Sequence, residues 1–213
     1  REAIIHYVMG RSARVAGGIL PPTHWAGHPD LSGVPHDPDR ARALLRELGY
    51  GSANRPTIVY KTSAAPFRVR LATIVQEQLG RVGIDVRVQS NDWGTFYGDV
   101  KAGRFQMYSL AWVGIKMPDI FRYTFHSDAI PPNGANRGRY RSRAADRDIE
   151  QAESAGTLAE QARHYHALQQ RVLSDLPYIP LWYEDTVGVF REGVSGYVLN
   201  ADGNYDGLLG VER

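Results

Sequence analysis

The chain has 213 residues, 43% of them apolar and 23% charged, with a formal net charge of +2. That is ordinary globular composition, which excludes collagen, coiled coil and wholesale disorder, and the length suits one domain of about 200 residues, or one plus a tail. There is no cysteine, so disulfides, thiolate metal sites and cysteine nucleophiles are excluded.

The sequence opens on Arg1 rather than Met with a helix pattern already under way, which points to an upstream part outside this sequence. Ile4, Ile5 and Val8 give Glu2–Met9 enough apolar character for a short helix. Gly17–Pro35, rich in Gly, Pro and His, reads as a long loop, and loops of that length inside compact chains are often functional. A clear helix comes next. Asp37 caps it, Pro38 takes the first helical position, Ala41, Leu44, Leu45 and Leu48 form an apolar face, and Gly49 ends it. Pro56–Thr62 reads as a strand. Pro66–Val82 reads as a helix with Ala72, Val75, Leu79 and Val82 on one face and Gly83 as its stop. Ile84, Val86 and Val88 then alternate with polar residues, as in a half-buried strand. Strand, helix and strand with short joins make a βαβ unit, so the two strands are expected to be parallel with a right-handed crossover.

Asn91 or Asp92 caps a short helix carrying Trp93, Phe96, Tyr97 and Val100, ended by Gly103. Phe105–Trp112 is expected as a third strand, Val113–Pro118 as a turn and Asp119–Phe125 as a short helix. His126–Gly138 is a loop. Ser142 caps a helix to about Ala155, and Thr157 with Glu160 forms a capping box for another. Leu158, Ala162, Tyr165, Leu168, Val172 and Leu176 make the inner face of that last helix, and Pro177 breaks it. Ile179–Phe190 reads as an extended apolar segment, and Gly193–Arg213, with five glycines and little periodicity, as a tail. The order of elements predicts an α/β fold, a mixed and mostly parallel sheet flanked by helices.

The sequence holds no phosphate-binding glycine loop, zinc-protease helix or serine-nucleophile elbow. His24 and His28 are four apart, but in a Gly/Pro segment with no third ligand suggested, and His164 and His166 face different directions on a helix. Nothing assembles into a catalytic constellation, and no metal or cofactor is implied.

The informative stretch is Leu110-Ala-Trp-Val-Gly-Ile-Lys-Met-Pro-Asp119, at the C-terminal end of the expected third strand, where open α/β sheets place ligands. Trp112 offers a flat ring with one donor, and Gly114 room for close backbone approach. The loop Pro131–Tyr140 adds amides, the guanidinium groups of Arg137 and Arg139, and an aromatic ring. Pattern alone leaves two readings open: a polar and aromatic cleft, or an indole that caps the core beside a plain connector.

In order along the chain, several segments match a known family. Arg1-Glu-Ala-Ile-Ile-His-Tyr7 resembles its R-x-A-I-x-Y helix. Pro35-His-Asp-Pro-Asp-Arg-Ala-Arg-Ala-Leu-Leu-Arg-Glu-Leu-Gly-Tyr50 resembles its Y-D-P-x-K-A-K-x-L-L-x-E-A-G-Y. Gln76–Ile84 with Asn91-Asp-Trp93 after it is similar to its Q-x-Q-L-x-x-x-G-I segment and the site downstream. Phe105–Trp112 with Pro118-Asp119 resembles its W-x-x-D-x-x-P region, Asn136, Tyr140 and Asp146 its N-x-x-x-Y and D, and Gln169–Leu181 its Q-x-x-L-x-x-D-x-P-x-I-P-L. The family is the family 5 extracellular solute-binding proteins, the oligopeptide, dipeptide and nickel-type receptors of ABC importers.

The resemblance implies the C-terminal lobe of a type II periplasmic-binding-protein fold. Residues 1–192 would form the α/β lobe and 193–213 a tail reaching toward a missing lobe, with the crossover near Gly193–Tyr197. It implies a secreted, periplasmic and monomeric receptor that closes on a peptide or related small solute and passes it to membrane permease subunits. The ligand-binding residues it suggests are Trp112, Val113, Gly114, Ile115, Asp119, Asn136, Arg137, Arg139 and Tyr140. In the family's peptide-binding members an aspartate three residues after the Trp pairs with the peptide amine, and the matching position here is Ile115. A non-peptide solute of the same family is therefore the alternative. Two other classes fit the residues less well. A hydrolase using His126 or Asp119 lacks a convergent acid/base pair. A nucleic-acid binder using the Arg137–Arg147 run is opposed by the near-neutral total charge.

Overall fold

The computed structural model describes residues 1–200 and 203–212. In chain order the elements are α1 (Glu2–Tyr7), β1 (Ala13–Val15), α2 (Pro38–Glu47), β2 (Thr57–Ser63), α3 (Pro66–Val82), β3 (Asp85–Asn91), α4 (Trp93–Ala102), β4 (Met107–Tyr108), α5 (Ile120–Phe125), α6 (Arg143–Ser154), α7 (Leu158–Asp175) and β5 (Trp182–Glu184), then a 3-10 turn at Asp206–Gly210. They divide between two compact units. One comprises Arg1–Val34, Trp112–Ala129 and the chain from Tyr140 on; the other comprises Pro35–Ala111 and Ile130–Arg139.

The Pro35–Ala111 unit is built on the βαβ motif. β2 pairs in parallel with β3 along its whole length, from Thr57 opposite Asp85 to Ser63 opposite Asn91. β4 adds a parallel edge in the order β3-β2-β4. α3 runs between β2 and β3 because Pro66 opens it at a position where its missing N–H costs nothing, and Gly83 closes it in the left-handed conformation at φ +104°. Its Ala72, Val75 and Leu79 meet Tyr60, Val86 and Val88 of the sheet. Asp92 caps α4 by accepting from the Thr95 amide, and Gly103 ends it at φ +74°. Lys61 on β2 binds Asp99 on α4 at 2.6 Å, and Arg104 holds the other oxygen of Asp99 at 2.8 Å.

Two expectations change here. The third strand is shorter than Phe105–Trp112, because β4 finds partners only at Tyr60 and Lys61. The chain leaves the sheet at Ser109, whose hydroxyl takes a hydrogen bond from Tyr60 at 2.7 Å. The second change concerns α2. Asp37 and Pro38 start it as expected, with the Asp37 carboxylate accepting from the Arg40 amide, but its apolar face is only partly covered: Ala41 and Leu45 are half-buried, while Leu44 and Leu48 are exposed.

The other unit is mainly helical. Phe121, Phe125, Ile149, Leu168 and Val172 from α5, α6 and α7 form its core with Leu20 and Tyr165. Ser142 caps α6 through the Ala145 amide, and Thr157 caps α7 through the Glu160 amide. In the expected capping box the Glu160 carboxylate accepts from the Thr157 hydroxyl at 3.0 Å. Leu158 and Leu176, at the ends of the expected inner face, are exposed, while Gln169 is buried on it.

β1 was not foreseen in the sequence. It pairs antiparallel with β5, Ala13 opposite Glu184 and Val15 opposite Trp182. Because β1 offers only three residues, the extended segment expected at Ile179–Phe190 becomes strand only at Trp182–Glu184, and Val187 and Val189 stay exposed. The Tyr183 hydroxyl donates to the Gly18 and Leu20 carbonyls at 2.8 and 2.9 Å, fastening the start of the long loop. The Arg1 guanidinium bonds the carbonyls of Ala16, Pro180 and Val34. In the Gly193–Arg213 segment, Ser195 and Glu212 form one antiparallel bridge. Ala201, Asp202 and Arg213 of the expected tail lie outside the described residues.

Candidate functional site

Once the chain leaves β4, Trp112–Lys116 takes no regular structure until the turn at Met117–Asp119 leads into α5. This segment and the outer side of α5 enclose an open recess of about 360 Å³, lined by Trp112–Met117, Asp119, Ile120 and Tyr123. Trp112 does two things at once. Its ring rests against the helical core, and it lines the recess. It meets Tyr123 edge to face, with ring centroids 6.2 Å apart. The half-buried indole thus lines the recess and packs on the core at once.

Ile115 is likewise half-buried and packed on the helical core. Val113 is 88% exposed, the most open of the apolar groups at the recess. Gly114 was expected to permit close backbone approach. Nothing lies within 4 Å of where its Cβ would be, and what requires glycine is its φ of +71°. Asp119 holds the N-cap position of α5 but makes no capping hydrogen bond through its side chain. Its exposed carboxylate is the acidic group of the recess.

Tyr140 belongs to the same unit but serves its packing. The ring lies against the core beside Phe125, and the hydroxyl donates to Asp175. Burial, together with the hydrogen bond to Asp175, pushes the phenol up to about 12. Asn136, Arg137 and Arg139 belong to the other unit. Asn136 is fully buried there. Arg137, expected among the ligand-binding residues, is also buried; it donates to the Tyr97 hydroxyl at 3.2 Å and lies over that ring, which stacks on Trp93. Arg139 is exposed with φ +56°, its guanidinium beside Gly103. Of the hydrolase candidates, His126 is buried with Nδ1 accepting from the Asp128 amide and Nε2 3.4 Å from Glu150.

Sequence reasoning did not single out Met117, Ile120 or Tyr123 for the recess. Tyr123 lies one helical turn beyond Asp119, a spacing that could have flagged it. The same reasoning named His24 and His28 of the long loop and gave them no role. His24 Nε2 lies 3.2 Å from the Lys116 carbonyl in the recess wall, and the His28 ring sits 5.0 Å from that of His166 on α7. Among the described residues no cluster of three or more His, Asp or Glu side chains suits a metal ion, and no helix is long and apolar enough to cross a membrane.

Residues 1–131 match the family described as bacterial extracellular solute-binding proteins, family 5 Middle. The chain belongs to this family. Among its relatives, di/tripeptide-binding protein 4 of Pseudomonas aeruginosa is 31% identical over 94% of this chain and 38% of its own length. Heme-binding protein A of Haemophilus influenzae is 25% identical over 99% of this chain and 39% of its own. In structure the chain is similar to the ABC transporter-associated periplasmic binding protein DppA from Helicobacter pylori, solved with the peptide STSA, at a TM-score of 0.83 and 26% identity. That match covers 99% of this chain and 41% of the other. The fold is that of the type II periplasmic binding proteins, and the chain spans about two fifths of the relatives it matches.

Proposed function

We propose that this chain is one ligand-binding part of an ABC-importer receptor, and that its recess at Trp112–Tyr123 forms one wall of the solute site. The observation that carries this reading is the recess itself: a half-buried indole, an exposed valine, and a carboxylate not used for capping, gathered on one irregular segment. Apolar and aromatic lining with a few convergent polar groups is what small-solute sites require. The family membership supports binding and delivery rather than catalysis, and a secreted, periplasmic setting with permease subunits as partners. The relative and the solved structure named for peptides support a peptide or related small solute. The exposed Val198, Leu199, Tyr205 and Leu209 support the reading of residues 193–213 as a segment that reaches another lobe.

A second reading, a non-peptide solute, is favoured by Ile115. Its apolar side chain stands half-buried at the recess and can neither accept a hydrogen bond nor balance an ammonium group. A relative named for heme supports the breadth of solutes. The test is titration of the intact receptor with dipeptide and tripeptide pools by calorimetry, with small-angle scattering to detect closure. Saturable binding with compaction is expected. Turnover of the solute, or no binding to any pool or to non-peptide solutes, removes the receptor reading.

A further inference from the structure

Of the asparagines in the chain, Asn133 alone is followed by glycine; Asn54, Asn91, Asn136, Asn200 and Asn204 each precede a residue with a side chain. The others are also engaged or enclosed. Asn54 accepts from the Gly51 amide and donates to the Gly49 carbonyl, and Asn200 donates to Asn204. Asn136 is fully buried, and Asn91 ends β3 in register with Ser63. Asn133 is exposed, at the close of a turn in which its amide donates to the Ile130 carbonyl at 3.0 Å. Among the described residues nothing holds its carboxamide, and nothing accepts from the Gly134 N–H. With no Cβ on Gly134, the approach of its nitrogen to the Asn133 side chain is sterically unhindered and a wide range of backbone angles is open to it. Immediately behind, Gly134, Ala135, Asn136 and Arg137 are all buried.

We propose that Asn133–Gly134 is a self-modification site, at which the chain converts its own asparagine to isoaspartate and so displaces the buried stretch behind it. The inference does not depend on what solute the protein binds. The Gly134 nitrogen gives its proton to hydroxide or a buffer base and attacks Cγ of Asn133. The N–Cγ bond forms, the Cγ–Nδ2 bond breaks, and Nδ2 leaves as ammonia after taking a proton from water. A five-membered imide remains, and one water opens it. Cleavage between Cγ and the nitrogen gives aspartate with the chain path unchanged. Cleavage between the main-chain carbonyl carbon and the nitrogen gives isoaspartate, in which the chain runs through Cβ and Cγ. The net reaction consumes one water, releases one ammonia and adds one negative charge, and it needs no oxidant, reductant or cofactor. The isoaspartate path is one carbon longer at the point where the chain enters its buried stretch. Asn136 has no exposed surface, and Arg137 lies over Tyr97 with a hydrogen bond to its hydroxyl. Close-packed groups of this kind take up an added carbon by moving.

The experiment is incubation of the folded protein in mildly alkaline buffer, followed by peptide mapping, with a carboxyl methyltransferase specific for isoaspartate as the label. Asn133 is expected to change before any other asparagine, with isoaspartate among the products. Its rate should rise about tenfold per pH unit, because the attacking nitrogen is a minor deprotonated species whose share grows by that factor. It should also lie within about tenfold of the rate in a synthetic peptide spanning Ala129–Arg139, since the fold adds little barrier to an exposed, unbonded side chain. Asn133→Ser, a change at the surface, should fold as the parent does and stay unlabelled. A slower rate than that in the folded protein, first modification at another asparagine, or labelling that persists in Asn133→Ser would overturn the site. Asn133→Asp carries the same added charge on an unaltered chain path and isolates the second half of the proposal. The isoaspartate form, separated by ion exchange, should melt about 2–4 °C below Asn133→Asp. Equal midpoints would mean that the buried stretch absorbs the extra carbon without moving, and would overturn the displacement.

Discussion

The two units solve the same problem by opposite means. The Pro35–Ala111 unit is held by neighbours in sequence: a strand, a helix and a strand fold back on one another, and each end carries its own stop or cap. The helical unit is assembled from three separated stretches of chain, and its fastenings span it, as where Arg1 reaches Pro180 and Tyr183 reaches Gly18. The recess lies in this second kind of unit. Non-local contacts of this kind can be loosened without dismantling secondary structure.

The largest expected effect separates the two cores. Phe125 has no exposed surface and packs among three helices, so Phe125→Ala should cost about 3–5 kcal/mol in chemical unfolding. Val75 is only half-buried against the sheet, and Val75→Ala should cost about 1–2 kcal/mol. Equal losses would mean that the helical core is no tighter than the sheet's.

Trp112→Ala tests the double role of the indole. Because the ring is only partly buried, the loss of stability should be about 2 kcal/mol, less than for a fully buried Trp. Solute affinity in the intact receptor should drop roughly tenfold, about 1.4 kcal/mol. A loss of stability with unchanged affinity would make Trp112 a core residue alone.

How far the sequence could be read obeys the same division. The α3–β3 passage was legible nearly to the residue, because Pro66, Gly83 and the alternation of Ile84, Val86 and Val88 act locally. The caps at Asp37, Ser142 and Thr157 were legible for the same reason, and that of α4 to within Asn91 or Asp92. β1 was not, since three residues carry no period and its partner lies near the far end of the chain. The third strand was read too long because apolar character continues to Trp112 while pairing stops at Tyr108. Of the candidate site, Trp112–Ile115 and Asp119 could be picked out as one contiguous segment and do share a recess. The burial of Arg137 was not legible, because a guanidinium in a polar loop gives no sign that Tyr97 will cover it. His28 and His166 meet across the chain, a contact that no spacing rule reveals.

Ile115→Asp asks whether the recess accepts a charge where the side chain now packs. Placing a carboxylate in a half-buried apolar contact should cost about 1–2 kcal/mol of stability. If free-amine peptides are the solutes excluded by the present apolar group, their affinity should rise in calorimetry in the same variant. A stable variant with no gain for such peptides would place the amine partner elsewhere.

The smallest effect is the most discriminating, because the two units should respond to acid at different pH. In the helical unit the His166 pKa is lowered by burial, so the folded state binds fewer protons than the unfolded one. Its contribution to stability is full above the ordinary value of 6.5 and declines as pH falls through that value. In the sheet unit the pKa of Asp99 is lowered, first by its hydrogen bond with Lys61 and then by that with Arg104. That contribution is full above the ordinary 3.8 and is lost only as pH falls below it, toward the folded value. Residue-resolved exchange during an acid titration should therefore show α7 softening first, with β2 and α4 holding until the carboxylates titrate. Lys61→Met should move the onset in the sheet unit upward and leave the helical unit's onset where it was. Simultaneous softening of both units in every titration would show that one cooperative transition overrides the local titrations, and that acid does not distinguish the helical unit from the other.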